Sequence, residues 1–336
     1  MFPKLILPFA LAPLVAMTGC LTTTGPDSSV VPPLPGGPQA VGAYIIVDAN
    51  SKKVVAAKES TRKVQIASLT KIATAAVVLD WAEGIGADLG QLATVPASAG
   101  AIGGANPVGL MPGDQISLRD ALYCAMMASD NIAAETLADH VGRDLLGRAG
   151  QGGHPIAKFV DQMNALAKVQ GMARTRFSNP HGLDHLNPVP YSTAEDLARL
   201  SLYALSKPSF RFFSSQAERR VGIVRAGQER SFLIKNTNQL IGVDRIDGGK
   251  TGLTGKAGPC LMITADKPST ITPLPDGRTQ VMPHRLVVIV LNAQDRFGSA
   301  RQLLNQGWMA YDAWVASGRQ LQSAGELLTA PAPPAP

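Results

Sequence analysis

Residues 68–71 read Ser68-Leu69-Thr70-Lys71 and open an apolar run that continues to Leu79. Residues three apart in a helix share a face, so this spacing places the Ser68 hydroxyl beside the Lys71 amine. A serine becomes a nucleophile when a base takes its proton, and a lysine can be that base when burial and nearby positive charge lower its pKa. A helix beginning at Ser68 would also direct its positive N-terminus at a developing oxyanion. The stretch predicts acyl transfer through a covalent serine intermediate.

The same spacing occurs a second time, from Ser60 to Lys63, where the neighbouring residues are charged. A chain of this length is expected to contain roughly one such pair by chance. The apolar residues that follow Ser68 favour it over Ser60, because they predict a buried helix next to the nucleophile.

The composition indicates a folded protein with a basic surface. The chain has 336 residues, of which 45% are hydrophobic and 17% charged, so it can form one large domain or two small ones. The net charge is +6, but the basic residues are dispersed and do not alternate with aromatic residues. We therefore expect no nucleic-acid partner, and a cationic surface suited to an anionic setting such as a cell envelope.

The N-terminal residues 1–19 have the pattern of an export signal, with a positive charge at Lys4 and an apolar run from Leu5 to Met17. That run is too short to span a bilayer as a helix. The residues before Cys20 resemble a bacterial lipoprotein cleavage site, after which Cys20 becomes the lipidated first residue; ordinary secretory cleavage is the alternative. The prediction is a protein of the periplasm or cell envelope, anchored to a membrane through Cys20.

The sequence divides into a central domain and two low-complexity ends. Residues 20–40 are rich in proline and glycine and predict a flexible tether, and residues 319–336 end in a Pro/Ala-rich run and predict a disordered tail. The domain between them, 41–318, has strand patterns at both ends and helical periodicity over about 68–210. This order predicts an α+β fold, with one sheet built from N- and C-terminal segments and an inserted helical subdomain.

Two further motifs occur once each in the chain, Ser129-Asp130-Asn131 and Lys250-Thr251-Gly252. Taken separately, the first could be a helix cap and the second a strand residue beside turn glycines. Together with Ser68 and Lys71, in this order and one per predicted segment, they are much less expected by chance.

With these motifs the chain resembles the penicillin-interacting serine acyltransferases, and among them the low-molecular-mass penicillin-binding proteins that are D-alanyl-D-alanine carboxypeptidases. The resemblance covers about 41–315. It implies a β-lactamase/DD-peptidase-like α+β fold, with an antiparallel sheet flanked by helices and an inserted all-helical subdomain. Four more stretches of the sequence are similar to that group: Phe177-Ser178-Asn179-Pro180-His181-Gly182-Leu183, Ser192-Thr193-Ala194-Glu195-Asp196-Leu197-Ala198, Asn236-Thr237-Asn238 and Asp247-Gly248-Gly249 before Lys250.

The resemblance implies a catalytic role for three residues. Ser68 would attack the carbonyl of the penultimate D-alanine of a peptidoglycan stem peptide, and Lys71, neutral when it acts, would accept the proton. Ser129 would relay a proton to the departing amine. β-Lactams would acylate the same serine as covalent inhibitors.

The resemblance also implies how the substrate is held. Asn131 would hydrogen-bond the substrate amide and Lys71, while the Lys250-Thr251-Gly252 motif would hold the terminal carboxylate through its lysine and threonine. The backbone N–H groups of Ser68 and Leu253 would form the oxyanion hole. The charge of Lys250 is further expected to lower the pKa of Lys71.

No metal or cofactor is expected. Cys124 and Cys260 lie in apolar surroundings, which predicts two buried structural cysteines and leaves their pairing open. His181 and His185 are four residues apart, but in a Pro/Asn-rich stretch that predicts a loop, where this spacing does not align ligands.

Three stretches depart from the pattern of the family. Pro259 stands where the family commonly has tyrosine, so we expect an irregular strand there. Residues 147–155 and 266–283 are predicted to be loop insertions.

Three other functions remain open from the sequence. A DD-endopeptidase acting on peptidoglycan crosslinks would use the same residues. A β-lactamase needs a base for rapid deacylation, for which Glu195 is the nearest candidate, although it lies where an acidic first turn of a helix is ordinary. A non-catalytic wall-binding lipoprotein would have no need of Lys71 or Ser129.

Overall fold

A computed structural model describes residues 31–185 and 187–328 of the chain. The predicted signal peptide 1–19, Cys20, the first part of the predicted tether and the final residues 329–336 lie outside the described residues.

In the described residues, most strands lie in the N- and C-terminal parts of the domain, and most helices lie between them. The strands are β1 (Val41–Asp48), β2 (Val54–Lys58), β3 (Leu92–Thr94), β4 (Gln115–Ser117), β5 (Glu218–Arg225), β6 (Gln228–Lys235), β7 (Ile246–Thr254), β8 (Gly258–Pro273) and β9 (Thr279–Ala293). The helices are α1 (Lys71–Ile85), α2 (Leu118–Met127), α3 (Asn131–Arg148), α4 (Pro155–Val169), α5 (Ala194–Leu205), α6 (Pro208–Ser215) and α7 (Arg296–Ala316).

The main sheet has five strands in the order β2-β1-β9-β8-β7, and each strand pairs antiparallel with its neighbour. Strand β1 is buried on both faces because alternate side chains enter different cores. Ala43, Ile45 and Val47 face the helices of the inserted segment, whereas Tyr44 and Ile46 pack with α7. The sheet therefore lies between two helical layers, and the predicted α+β fold with a sheet from both ends of the chain is confirmed.

The prediction that the inserted segment is all-helical is wrong. Strands β3 and β4 lie within it and join β5 and β6 in a second, four-stranded antiparallel sheet. Each of these inserted strands has three residues, which is too short for an alternating pattern to be visible in the sequence. The helices α1 to α5 lie within the range 68–210 for which helical periodicity is predicted, and α6 ends just beyond it.

Residues 266–283 form a hairpin and not the predicted loop. Strands β8 and β9 continue to pair beyond the last β7 contact, for example at Ile271 and Val281. Because only two strands pair in this part of the sheet, prolines are tolerated in it. Their frequency is why the sequence predicted a loop and not strands. The ladder between β7 and β8 also continues regularly through Pro259, which pairs with Leu253, so the expected irregularity there is wrong.

Both low-complexity ends contact the domain where the structure describes them. In the predicted tether, the Leu34 N–H donates to the Tyr44 hydroxyl at 2.8 Å. In the predicted disordered tail, Leu327 forms an isolated antiparallel bridge with Lys53, the residue before β2, and the Leu328 side chain is buried. An apolar pair of leucines at the end of a polar stretch explains this packing.

Candidate active site

Ser68 lies in a single 3-10 turn, Ala67–Thr70, and Lys71 is the first residue of α1. The Lys71 side chain is fully buried, and its Nζ lies within hydrogen-bond distance of Ser68 Oγ, at 2.9 Å. Ala67, which precedes the serine, has a φ of 48°, an uncommon backbone conformation for a residue with a side chain. The predicted pairing of hydroxyl and amine is therefore present, with backbone strain next to the hydroxyl.

Two carbonyl oxygens complete the surroundings of the Lys71 amine. Nζ donates to Asn131 Oδ1 at 2.7 Å and to the backbone oxygen of His181 at 2.9 Å. Both oxygens can only accept hydrogen bonds. A neutral amine has two N–H groups for them, and its lone pair then faces the Ser68 hydroxyl, which is the one partner able to donate. The arrangement orients Lys71 as a base toward Ser68.

The pKa of Lys71 is lowered to about 7, and burial is the main cause. The buried carboxylate of Asp130 opposes this shift, because a nearby negative charge favours the protonated amine. Of the two expected causes, burial does lower this pKa, whereas the charge of Lys250 is not among its causes. The repulsion between these two lysines adds instead to a lowered pKa of Lys250, which burial already holds well below its ordinary range.

The second motif places Ser129 opposite the third motif. Lys250 is fully buried on β7, and its Nζ donates to Ser129 Oγ and to the Thr251 backbone oxygen, both at 2.9 Å. Ser129 has a φ of 61°, so the chain turns sharply into α3 at this point. Asp130 then caps α3, its Oδ1 accepting from the Ala133 N–H at 2.9 Å.

Strand β7 lies directly against the turn that contains Ser68. A Cβ at Gly252 would stand 3.0 Å from the Ile66 oxygen and 3.3 Å from the Ser68 nitrogen, so glycine permits this approach. Leu253 follows in the strand, and its side chain is 63% exposed. The predicted oxyanion donors, the N–H groups of Ser68 and Leu253, are thereby carried by two adjoining backbone segments.

A loop that includes Asn179, His181 and Gly182 packs against the turn that contains Ser68. Asn179 Oδ1 accepts from the Gly182 N–H at 2.6 Å, and the loop carries the His181 oxygen that holds Lys71. Gly182 has a φ of +88°, and a Cβ there would lie 2.0 Å from the Ala67 oxygen. The loop can pack this closely only with glycine at that position.

Several residues that the sequence analysis did not assign to the site contact it. Thr237 Oγ1 lies 2.6 Å from Thr251 Oγ1, and Arg296 Nη1 donates to the Gly252 oxygen at 2.8 Å. Gly103 accepts from Asn131 Nδ2 at 2.8 Å. Thr237 and His181 lie in stretches similar to the family, whereas nothing near Gly103 or Arg296 in the sequence marks them, because tertiary contacts alone bring them to the site.

Glu195, the candidate base of a β-lactamase, faces another part of the molecule. It lies in the first turn of α5, where Arg199 Nη1 donates to its Oε1 at 2.7 Å. With Arg199 it lines a cavity of about 230 Å³ beside Leu327 and Leu328. Its surroundings are those of an ordinary acidic helix start.

The other side chains considered from the sequence are also placed. Cys124 and Cys260 are free thiols, buried as predicted. Within residues 31–185 and 187–328, no group of three or more His, Cys, Asp or Glu side chains is placed to hold a metal ion. In the same part of the chain, no helix combines the length and apolar character needed to cross a membrane.

Comparison with known proteins gives relatives of one kind. The chain is 34% identical over 260 residues to a D-alanyl-D-alanine endopeptidase of Pseudomonas aeruginosa, covering 74% of this chain and 76% of that one. It is 31% identical over 279 residues to the D-alanyl-D-alanine carboxypeptidase DacC of Escherichia coli, covering 80% of this chain and 62% of that one.

The fold is similar to solved structures of the same kind. The Streptomyces K15 DD-transpeptidase matches with a TM-score of 0.67 and 25% identity, covering 81% of this chain and 99% of that one. Penicillin-binding protein D2 of Listeria monocytogenes, solved in its ampicillin-bound form, matches in fold with a TM-score of 0.64. The family model described as D-alanyl-D-alanine carboxypeptidase matches residues 34–271, well over half of the sequence. The chain belongs to this family, the S11 D-alanyl-D-alanine carboxypeptidases.

Proposed function

We infer that the protein is a serine D-alanyl-D-alanine carboxypeptidase, which removes the terminal D-alanine from peptidoglycan stem peptides through an acyl-enzyme. The observation that carries this function is the Lys71 amine. It is fully buried, has a pKa of about 7, and is held by two acceptor oxygens so that its lone pair faces Ser68 Oγ. A lysine in this state is a general base at neutral pH.

Acylation follows from these contacts. Ser68 Oγ attacks the carbonyl carbon of the penultimate D-alanine while its proton passes to Lys71 Nζ. The carbonyl oxygen becomes an oxyanion at the N–H groups of Ser68 and Leu253, where donors fixed in place stabilise the developing charge. The peptide bond then breaks, and its nitrogen takes a proton by way of Ser129 Oγ to leave as the amine of D-alanine.

Lys250 and Thr251 suit the terminal carboxylate of the substrate. Thr251 faces Thr237, and Lys250 Nζ lies between Ser129 Oγ and the Thr251 backbone oxygen. A carboxylate bound there favours the charged form of Lys250, since an opposite charge offsets the cost of burial. Once the D-alanine has left, water attacks the Ser68 ester and releases the shortened peptide.

A DD-endopeptidase is the second candidate, because the Pseudomonas relative and a second one from Escherichia coli, also 34% identical, carry that name. Both reactions break a bond after D-alanine and need the same groups. Digestion of purified muropeptides separates them: release of free D-alanine from pentapeptide monomers supports the carboxypeptidase, and conversion of crosslinked dimers to monomers supports the endopeptidase. Neither product should form with Ser68→Ala.

β-Lactams are proposed as covalent inhibitors of the same site. A β-lactam carries a reactive carbonyl and a carboxylate, which match Ser68 and the Lys250-Thr251 pair. Deacylation is expected to be slow, since Glu195 points away from Ser68 and is paired with Arg199. Rapid turnover of nitrocefin by the purified protein would favour the β-lactamase alternative.

We propose further that the protein is exported to the cell envelope and anchored through a lipid on Cys20. The support is the sequence, in which a charged start, a short apolar run and small residues precede the cysteine. A protein held there would meet peptidoglycan. Metabolic labelling with a fatty-acid probe should mark the wild-type protein in cells and should not mark Cys20→Ser.

A further inference from the structure

A buried carboxylate near the site has no part in the reaction described above. Glu135 lies on α3 one turn after Asn131, so both side chains share a face of the helix. Only 5% of Glu135 is exposed. Carboxylates are seldom buried unless they are paired, because loss of hydration disfavours the charge.

The contact that Glu135 makes is to a segment of the loop between β3 and β4. Within the described part of the chain, Ser98 Oγ donates a hydrogen bond to Glu135 Oε1 at 3.2 Å. Asp139, one turn further along α3, is paired with Arg143 at 2.6 Å and contributes repulsion. Burial raises the pKa of Glu135 to about 7, which the Ser98 hydrogen bond partly opposes.

The same loop holds Asn131. In residues 97–105, here named the cleft segment, the Gly103 oxygen accepts from Asn131 Nδ2 and the Ala105 oxygen accepts from the Asn131 N–H, each at 2.8 Å. Most of the cleft segment is exposed, with Ala99 as its buried residue. The contact between Ser98 and Glu135 is thus one of few that fix the position of the segment.

The orientation of the Asn131 side-chain amide depends on the Gly103 oxygen. With Nδ2 directed at Gly103, Oδ1 must face Lys71, where it accepts at 2.7 Å. A rotated amide would present N–H groups to the Lys71 amine and would remove one of the two acceptors that orient its lone pair. A displacement of the cleft segment would therefore change the hydrogen bonding of the Lys71 amine by way of Asn131.

We propose that Glu135 is a positioning residue, which through Ser98 holds the cleft segment in place and so keeps Asn131 Oδ1 directed at Lys71. The inference rests on the proposed function, since it assigns Glu135 an effect on acylation of Ser68. Glu135 itself does not touch the reacting atoms.

The test is a double-mutant cycle measured by the second-order rate of acylation with benzylpenicillin and by the melting temperature. The variants are Ser98→Ala, Glu135→Ala, both together and Glu135→Gln, with Asp139→Asn as the matched control on the same helix. Each alanine variant should be acylated about fivefold more slowly, as expected for loss of one hydrogen bond. The double variant should be no slower than the slower single one.

Rescue distinguishes positioning from a general effect on stability. Glu135→Gln keeps the shape and an acceptor oxygen, so it should be acylated within about twofold of the wild-type rate, and Asp139→Asn should be unchanged. Ser98 is exposed, so its variant tests the idea even where Glu135→Ala folds poorly. Wild-type rates in Ser98→Ala, or independent multiplying effects in the double variant, would overturn the inference. A wild-type protein that takes no penicillin would contradict the proposed function and this inference with it.

Discussion

Lys71 shows how a single residue can be prepared for catalysis by burial. Its amine is surrounded by Ser68 Oγ and two carbonyl oxygens. The charge that acts on its pKa is the carboxylate of Asp130, which opposes the lowering by burial. The pKa of about 7 is therefore a balance between loss of hydration and one negative charge. Changing that charge should change the pH at which the base is neutral.

Acylation by benzylpenicillin should depend on pH through Lys71. Since the neutral amine is the base, the rate should be constant above pH 7 and should fall about tenfold for each pH unit below it. In Asp130→Asn the pKa of Lys71 should be lower still, because a negative charge that favours the protonated amine is gone, and the falling limb should move to lower pH. The asparagine side chain can still cap α3.

The control for this prediction is Asp139→Asn, which removes a carboxylate paired with Arg143 on the same helix. Its pH profile should match that of the wild type. A limb in Asp130→Asn that stays in place, or moves to higher pH, would contradict the proposed balance at Lys71.

The residues of the site differ in how visible they are in the sequence. Ser68, Lys71, Ser129 and Lys250 follow from short motifs, because the reaction requires those side chains at those spacings. Arg296 and the Gly103 oxygen could not be predicted, since each reaches the site through a distant segment and uses a contact that many residues can make. The lowering of the Lys71 pKa by burial could be anticipated from the apolar run after Ser68, but the opposing charge of Asp130 could not, because the fold brings it close.

At the scale of elements, the site depends on close contact between segments that are far apart in sequence. The turn of Ser68 is packed between β7 and the loop that includes Gly182, with little space on either side. Close-packed interiors transmit small displacements, so a single added methyl group in this region should shift the position of Ser68.

Gly182→Ala should lower the free energy of unfolding by about 3 kcal/mol or more, because the new Cβ would meet the Ala67 oxygen at 2.0 Å. Gly113 is the matched control: it has the same φ of +88°, but a Cβ there would have nothing within 4 Å. Gly113→Ala should cost only the backbone strain, about 1 kcal/mol. Urea denaturation measures both, and equal losses would mean that the loop does not pack against Ser68 as described.

Elements with a clear period were predicted well, and elements without one were not. A helix such as α5 has regularly spaced apolar positions and lies inside the range 68–210 where the sequence predicts helices. Strands β3 and β4 are too short for a period, and the hairpin of residues 266–283 is rich in proline, so neither could be recognised before their partners were known.

At the scale of the whole molecule, the two ends of the domain meet at the edge of the main sheet. The described C-terminal residues contact the two lysines just before β2: Glu326 pairs with Lys53 in a buried ion pair, and the Leu328 N–H donates to the Lys52 oxygen at 3.0 Å. Leu328 enters the core on the face of the sheet that also contacts the inserted helices. The C-terminal segment should therefore stabilise the domain.

Leu328→Ala should destabilise the protein by about 2–3 kcal/mol, because it removes a side chain that is 5% exposed from this core. Leu321→Ala, in which the replaced side chain is 40% exposed, should change the free energy of unfolding by less than about 0.5 kcal/mol. Thermal unfolding of the two variants compares them directly. Equal stability of both variants would show that the segment does not contribute to the fold.

The central claim is that Ser68 is the nucleophile of an acyl transfer for which Lys71 is the base. It is tested most directly by treating the purified protein with benzylpenicillin, measuring the intact mass, and mapping the modified peptide. We predict a gain of one penicilloyl group per chain, located on Ser68, and no gain in Ser68→Ala, with a strongly slowed reaction in Lys71→Gln. A folded wild-type protein that remains unmodified, or one modified at Ser60, would contradict the account.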